Sequence, residues 1–239
     1  MLISLEGNIG SGKSTLLREI GEKCKFVKAC VIIPEDVSGW TSFTDSTGQN
    51  ILEYFYSNKH AFGFTFQMLV VVSRIRNILD EIRKHPDAII ITERSHWTDL
   101  MIFVETLFEN KEINEIEYLT YKQCHEHLNS LLDVRVDGII YNLTSPHICM
   151  QRICKRSRKG EDLIPSHYIN DLHEKHNKWL MCSETKDISV TSPVTSPEIL
   201  NIDGDVDDTN EAVRKQQLDT IVAFVNTLYF STATKTKKE

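Results

Sequence analysis

A short apolar run, LISLE (2–6), passes directly into Gly7-Asn8-Ile9-Gly10-Ser11-Gly12-Lys13-Ser14-Thr15, and no other stretch constrains the fold as tightly. Residues 7–14 satisfy G-x-x-x-x-G-K-[ST] in full and stand where such a loop must stand, behind a strand and ahead of a helix. The glycines let the backbone turn so that N–H groups converge inward. The helix that follows adds the positive end of its dipole. Lys13 can reach β- and γ-phosphates, and Ser14 can bind Mg²⁺. Gly7–Thr15 is therefore expected to hold a nucleoside triphosphate, and the open question is where its phosphate goes.

The rest of the chain extends this beginning into an α/β fold. VIIP (31–34), AIIIT (88–92), GIIYNL (138–143) and EILNID (198–203) are short runs rich in Ile or Val and read as buried strands. Helical stretches separate them at 14–24, 61–84, 97–109, 115–132, 147–156 and 166–181. The alternation predicts a five-stranded parallel sheet covered by helices on both faces. A Ser/Thr/Pro-rich segment, about 182–198, reads as a surface loop, and STATKTKKE, about 231–239, as a frayed tail. The 239 residues are expected to form one domain.

Charge narrows the partners. Lys plus Arg is 27 against 34 for Asp plus Glu, a net charge of −7. That balance argues against a broad nucleic-acid surface. No apolar run is expected to reach membrane-spanning length. Six scattered cysteines without a CxxC pair read as reduced thiols, and no targeting segment is visible, so a cytoplasmic protein is expected.

In an open parallel sheet, ligands collect at the carboxyl ends of the strands. Glu35 ends VIIPE and Glu93 ends AIIITE, with Arg94 next to it. One carboxylate can accept a hydroxyl proton and another can hold Mg²⁺, while a guanidinium suits a phosphate clamp. The competing reading is a pair of solvated strand-end acids. A signalling GTPase is a poor fit, because the nearest N-K-x-D string is Asn177-Lys178-Trp179-Leu180. GIIYNL also ends without the acid expected of a motor ATPase.

The basic run Arg152, Lys155, Arg156, Arg158 and Lys159 admits three readings: a solvated face, a nucleic-acid or nuclear signal, or a lid over the triphosphate at about 152–162. Arg152 and Arg156 are four apart and share one helix face. Positive charge there would offset charge on a moving phosphoryl group.

PEDVSGW, GFTFQ, LVVVSRIR, ERSHWTD and RICKRSRKGEDLIPSHY occur in an order and spacing that resembles the deoxynucleoside kinase family over nearly the whole chain. The resemblance implies transfer of the ATP γ-phosphate to the 5′-hydroxyl of a deoxynucleoside, with Mg²⁺, by a homodimer joined mostly through helices. It implies Glu35 as general base, Arg94 between base and phosphate, and Glu93 as the Mg²⁺-site acid beside Ser14. Arg152, Arg156 and Arg158 take the lid positions, which favours the lid among the three readings, with Tyr168 at a further lid-associated position. Tyr56 and Glu161 match the pair that holds the sugar 3′-hydroxyl, with Asp162 as an alternative to Glu161. Gln67 matches the amide that reads the base edge. Trp40, Leu52, Phe55, Phe66 and Phe103 match the pocket around the base, core packing being the alternative for Phe66 and Phe103. Asp205 and Val206 would lie over the donor adenine.

The family alignment sets Val70, Arg74 and Asp99 against the far edge of the base. A buried Arg with Asp is costly unless paired, which makes sense if the pair reads hydrogen bonds. A carboxylate accepts from the exocyclic amine of cytosine or adenine, and an arginine donates to guanine. The expected preference is deoxyadenosine, deoxyguanosine or deoxycytidine over thymidine. The competing reading is a structural ion pair remote from the base. Alternatives for the whole chain are a thymidine-preferring or broad nucleoside kinase, a nucleoside monophosphate kinase, or a non-catalytic nucleotide switch.

Two further patterns are set aside. Asp203–Asp208 opens like a calcium loop but carries Asp208 at its sixth position and Arg214 at its twelfth. Cys124-His125-Glu126-His127 has adjacent side chains that splay apart on a helix and no distant partner cluster.

Overall fold

The computed structural model describes residues 1–132, 135–158, 161–181, 197–206 and 210–235. Lys159, Gly160, most of the 182–198 segment, Asp207, Asp208 and residues 236–239 lie outside the described residues, as does the side chain of Asp162.

The sheet contains β1 (Leu2–Glu6), β2 (Cys30–Ile33), β3 (Ile89–Glu93), β4 (Gly138–Leu143) and β5 (Glu198–Asp203). Its order is β2-β3-β1-β4-β5, and every pairing is parallel. This is the five-stranded parallel sheet that the apolar runs predict. β1 and β3 are buried along their whole length, because both faces of the sheet are covered. Chain order reverses at β1, which lies between β3 and β4. The crevice beyond its carboxyl end is where a parallel sheet of this kind receives ligands.

Helices α1 (Lys13–Lys23) and α10 (Glu211–Lys235) cover one face, packing Leu16, Leu17, Ile20, Ile221 and Val225 on Ile3, Leu5, Ile89 and Ile140. On the other face, Ile78 of α4 (Lys59–Lys84) and Leu180 of α9 (Ser166–Met181) pack on Leu2, Ile90 and Ile139. A further cluster joins α2 (Val37–Ser42), α3 (Ile51–Ser57), α4 and α7 (Glu115–Leu132) through Trp40, Phe55, Phe66, Val71 and Tyr121. Between β3 and α7 the chain runs through α5 (His96–Thr98), a π-helical turn (Asp99–Val104) and α6 (Glu105–Glu109). α8 (Pro146–Arg156) follows β4, starting on a proline whose missing N–H costs nothing there.

Three expectations change. The clearest helical stretches leave 35–60 unassigned, and α2 and α3 stand there, α3 opened by a reciprocal Asn50–Glu53 capping box. Residues 231–235, expected to belong to a frayed tail, are helical, since α10 runs to Lys235. Ser231 and Thr232 there donate back to the carbonyls of Thr227 and Leu228. Finally, α4 is long and apolar enough to cross a membrane by length and composition, contrary to the expected absence of such a run. One of its faces lies in the core, where it carries Gln67 and Arg74 beside Phe66, Val70 and Ile75.

Candidate active site

The loop after β1 is built around positive backbone angles. Gly10 has φ 76° and Gly12 has φ 91°. A Cβ on Gly10 would lie 2.4 Å from the Cys149 carbonyl oxygen, so only glycine fits. Side chains take the loop's carbonyls. Arg94 Nη1 donates to Gly7 O at 2.7 Å, and Lys13 Nζ donates to Asn8 O at 2.7 Å. Asn142, Thr144 and Arg152 all donate to Ser11 O. The first turn of α1 has no side-chain cap, and its N–H groups are those a phosphate would use. Lys13 is buried, and burial, followed by the charge of Arg94, pushes its amine down to about 8. Ser14 Oγ donates to Glu93 Oε1 at 3.0 Å, bringing two hard oxygen groups together at the strand end.

Glu35, two residues beyond β2, is held by two arginines on one of its oxygens. Arg74 Nη2 and Arg94 Nε each donate to Oε1 at 3.1 Å. Oε2 has no hydrogen-bond partner among the described residues, and Glu35 lines the cavity. Burial opposes ionisation of Glu35, but Arg94, Arg74 and Lys13 hold its carboxyl down at about 2. Arg94 itself is left-handed, with φ 65°, and its guanidinium lies 4.9 Å from the centre of the Phe103 ring.

Arg74 also clasps Asp99. Nε donates to Oδ2 at 2.9 Å and Nη2 to Oδ1 at 3.1 Å, while Nη1 donates to the Glu93 carbonyl at 2.8 Å. Among the described residues, only one guanidinium N–H, on Nη1, is left without a partner. Burial pushes Asp99 up to about 6, against the pull of Arg74. The π-helical turn brings Asp99 and Phe103, four residues apart, to the same cavity, a placement for which such turns are often used.

That cavity has a volume of about 1120 Å³ and runs from the glycine loop to the helical cluster. Its far end is aromatic. Phe55 and Phe66 stack with centroids 4.6 Å apart, and Trp40 meets Phe66 edge-on at 5.6 Å. Leu52, Tyr56, Val70 and Phe103 complete this wall. Gln67 lines it too, and its Oε1 is buried without a partner among the described residues, an unsatisfied acceptor of the kind a ligand fills. Burial, then Glu161, pushes the Tyr56 phenol up.

Arginines close the other side. α8 ends at Arg156, and Ser157 turns left-handed at φ 50°. Arg156 grips Glu161 in two bonds, Nε to Oε2 at 2.9 Å and Nη2 to Oε1 at 2.7 Å, and Arg158 Nη1 joins Oε1 at 3.2 Å. Arg152 instead braces the backbone, reaching Ser11 O, Gly204 O at 2.9 Å and Val206 O.

Nearly all the residues singled out in the sequence line this one cavity, including Ile9, Gly10, Gly12, Thr15, Tyr168 and Asp205. Four do not. Gly7 and Ser11 act through their carbonyls, and Val206 offers its carbonyl to Arg152. Asn8 is buried with Nδ2 on Ile169 O at 2.8 Å. Sequence reasoning missed Pro34, Val37, Ile148 and Gln151, which also line the cavity. Ile148 and Gln151 precede Arg152 and Lys155 by four residues each, a helical spacing that could have found them.

The sequence profile described as Deoxynucleoside kinase matches residues 3–227. The chain is 33% identical to a probable deoxycytidine kinase of Fowlpox virus (strain NVSL), over 95% of this chain and 89% of that protein. It is 34% identical to the deoxycytidine kinase of Homo sapiens over 75% of each chain. It is 31% identical to the mitochondrial deoxyguanosine kinase of Xenopus laevis, over 93% of this chain and 89% of that one.

Proposed function

Because the chain belongs to the deoxynucleoside kinase family, we propose that it moves the γ-phosphate of ATP to the 5′-hydroxyl of a deoxynucleoside and favours deoxyadenosine, deoxyguanosine or deoxycytidine over thymidine. It is an ATP-dependent phosphotransferase of the deoxynucleoside class. The observation that carries the detailed reading is Glu35: one oxygen is locked by Arg74 and Arg94, and the other is open to the cavity.

In this reading the 5′-hydroxyl donates to Glu35 Oε2. A carboxyl held at about 2 is a weak base, so its role is to orient the nucleophile and take the proton late. That suits the loose transition state of phosphoryl transfer, in which the attacking oxygen needs little activation. Lys13 and the α1 N-terminus face the β- and γ-phosphates. Ser14 and Glu93 offer the oxygens that would hold Mg²⁺, which supplies charge neutralisation on the phosphates when bound. Arg94 Nη2, without a partner among the described residues, can donate to the moving phosphoryl group. Arg156 and Arg158 would swing from Glu161 toward the same charge as a lid. The aromatic wall and Gln67 take the base, and Tyr56 with Glu161 the sugar.

Two coarser expectations belong to the same proposal. α4 and α7 pack side by side and expose Val72, Ile116 and Leu119, which supports a helical homodimer contact. The described cysteines are all free thiols, in keeping with a cytoplasmic setting.

The test is a parallel assay with Mg-ATP and each of deoxyadenosine, deoxyguanosine, deoxycytidine and thymidine, reading the 5′-monophosphates. Product from one or more of the first three, with little from thymidine, is expected. Thymidine monophosphate as the main product would overturn the base preference, and product only from monophosphate acceptors would overturn the acceptor.

A further inference from the structure

Glu6 is the last residue of β1 and precedes Gly7, yet it does not line the cavity. It is 0% exposed, and no charged side chain bonds to it among the described residues. Four neutral donors converge on it instead. Ser4 Oγ reaches Oε1, Ser95 N and Ser95 Oγ each reach Oε1 at 3.0 Å, and Thr98 Oγ1 reaches Oε2 at 2.6 Å. A carboxyl withdrawn this far from water is expensive unless its hydrogen bonds are complete.

Three of the four donors, all but Ser4 Oγ, fall at one place in the chain. Ser95 follows Arg94, and Thr98 precedes Asp99. Arg94 is left-handed, a conformation that a bulky residue keeps only where its surroundings hold it. Its backbone N–H donates to Leu5 O at 3.0 Å, the next N–H donates to Glu6, and its guanidinium donates to Gly7 O. Three consecutive residues, Leu5, Glu6 and Gly7, thus hold one turn.

We propose that Glu6 is a positioning residue for phosphoryl transfer: its buried carboxylate pins the Arg94–Ser95 turn to the mouth of the phosphate loop and so aims the guanidinium that grips Glu35. This rests on the reading of Arg94 as a residue of the reacting site.

A double-mutant cycle on the full chain tests it, with Glu6→Gln and Arg94→Ala measured by kcat, by KM for ATP and by thermal melting. A glutamine keeps one acceptor oxygen but presents an N–H where Thr98 needs an acceptor. Glu6→Gln is expected to lower kcat about 10- to 100-fold, the scale of a small misplacement of a reacting group. KM for ATP should stay within about threefold, and in the Arg94→Ala background the same change should cost nothing further. Losses that multiply independently would overturn the proposal and leave Glu6 a purely structural residue. Wild-type kcat in Arg94→Ala alone would remove the reading of Arg94, and the proposal with it. If Glu6→Gln does not fold, Thr98→Val removes the Oε2 donor by itself and passes through the same cycle with the same two outcomes.

Discussion

Arg74 and Asp99 are joined by two parallel hydrogen bonds, at 2.9 and 3.1 Å, at the edge of the cavity and almost out of contact with water. With its other bonds to Glu35 and the Glu93 carbonyl, Arg74 has one N–H without a partner among the described residues, so it acts more as a bracket than as a reader of the base. Asp99 keeps spare lone pairs and is the better candidate for accepting from an exocyclic amine.

Asp99→Asn is therefore expected to lower kcat/KM for amine-bearing bases by about 10- to 100-fold, the worth of about 1–3 kcal/mol per base contact. Thymidine should lose much less. Steady-state rates on all four nucleosides check this, and an equal loss for thymidine would separate Asp99 from base choice.

Arg74→Met leaves the buried Asp99 and the half-buried Glu35 with less compensation. The expected cost is about 3–5 kcal/mol of folding stability, read as a lower denaturant midpoint. A variant as stable as wild type would show that the pair contributes little.

Glu35 links the site to pH. Its folded value of about 2 lies below the ordinary carboxylate value of 4.5. A depressed carboxyl contributes stability that is fully present above about 4.5 and is lost as pH falls through about 2, up to about 3 kcal/mol. Glu35→Gln should be less stable than wild type at neutral pH, with the gap closing over that window. Its kcat should fall by about 10²–10⁴ while nucleoside affinity stays close to wild type. Chemical denaturation across pH, together with turnover, tests both statements.

Ser14 and Glu93, with their oxygens 3.0 Å apart, should set the metal requirement. In Ser14→Ala or Glu93→Gln the Mg²⁺ concentration for half-maximal rate is expected to rise by at least the about tenfold seen on losing even an outer partner of a bound metal. An unchanged Mg²⁺ dependence in both variants would move the metal elsewhere.

Gly10→Ala places a methyl group on the Cys149 carbonyl oxygen and asks alanine for φ 76°. A loss of about 1–3 kcal/mol is expected from backbone strain alone, with weakened ATP binding. Thermal melting and nucleotide titration measure the two effects.

What could be read before the fold was known follows a physical pattern. The glycine loop is legible because its eight residues are contiguous and each glycine answers a local backbone demand. The strands are legible because burial on both faces leaves unbroken apolar runs. α3 was readable too, since Asn50 and Glu53 form a capping box in sequence, but seven residues carry too little periodicity to stand out. Glu6 gave no signal, because an acid at the end of an apolar run reads as the solvated end of a strand. Arg152 carried a signal for phosphate, yet in this structure it braces three backbone carbonyls.

The sequence by itself determined a parallel α/β chain with a phosphate cradle after its first strand, because periodicity and glycine backbone freedom are properties of neighbouring residues. Only the tertiary structure decided that Arg74 and Arg94, twenty residues apart, would meet on a single oxygen of Glu35 and leave the other open. It also decided that Arg94 would be left-handed and that Arg156 and Arg158 would both turn to Glu161. Those choices depend on how α4, the end of β3 and α8 pack against one another, and no local property of the chain records distances between separate elements.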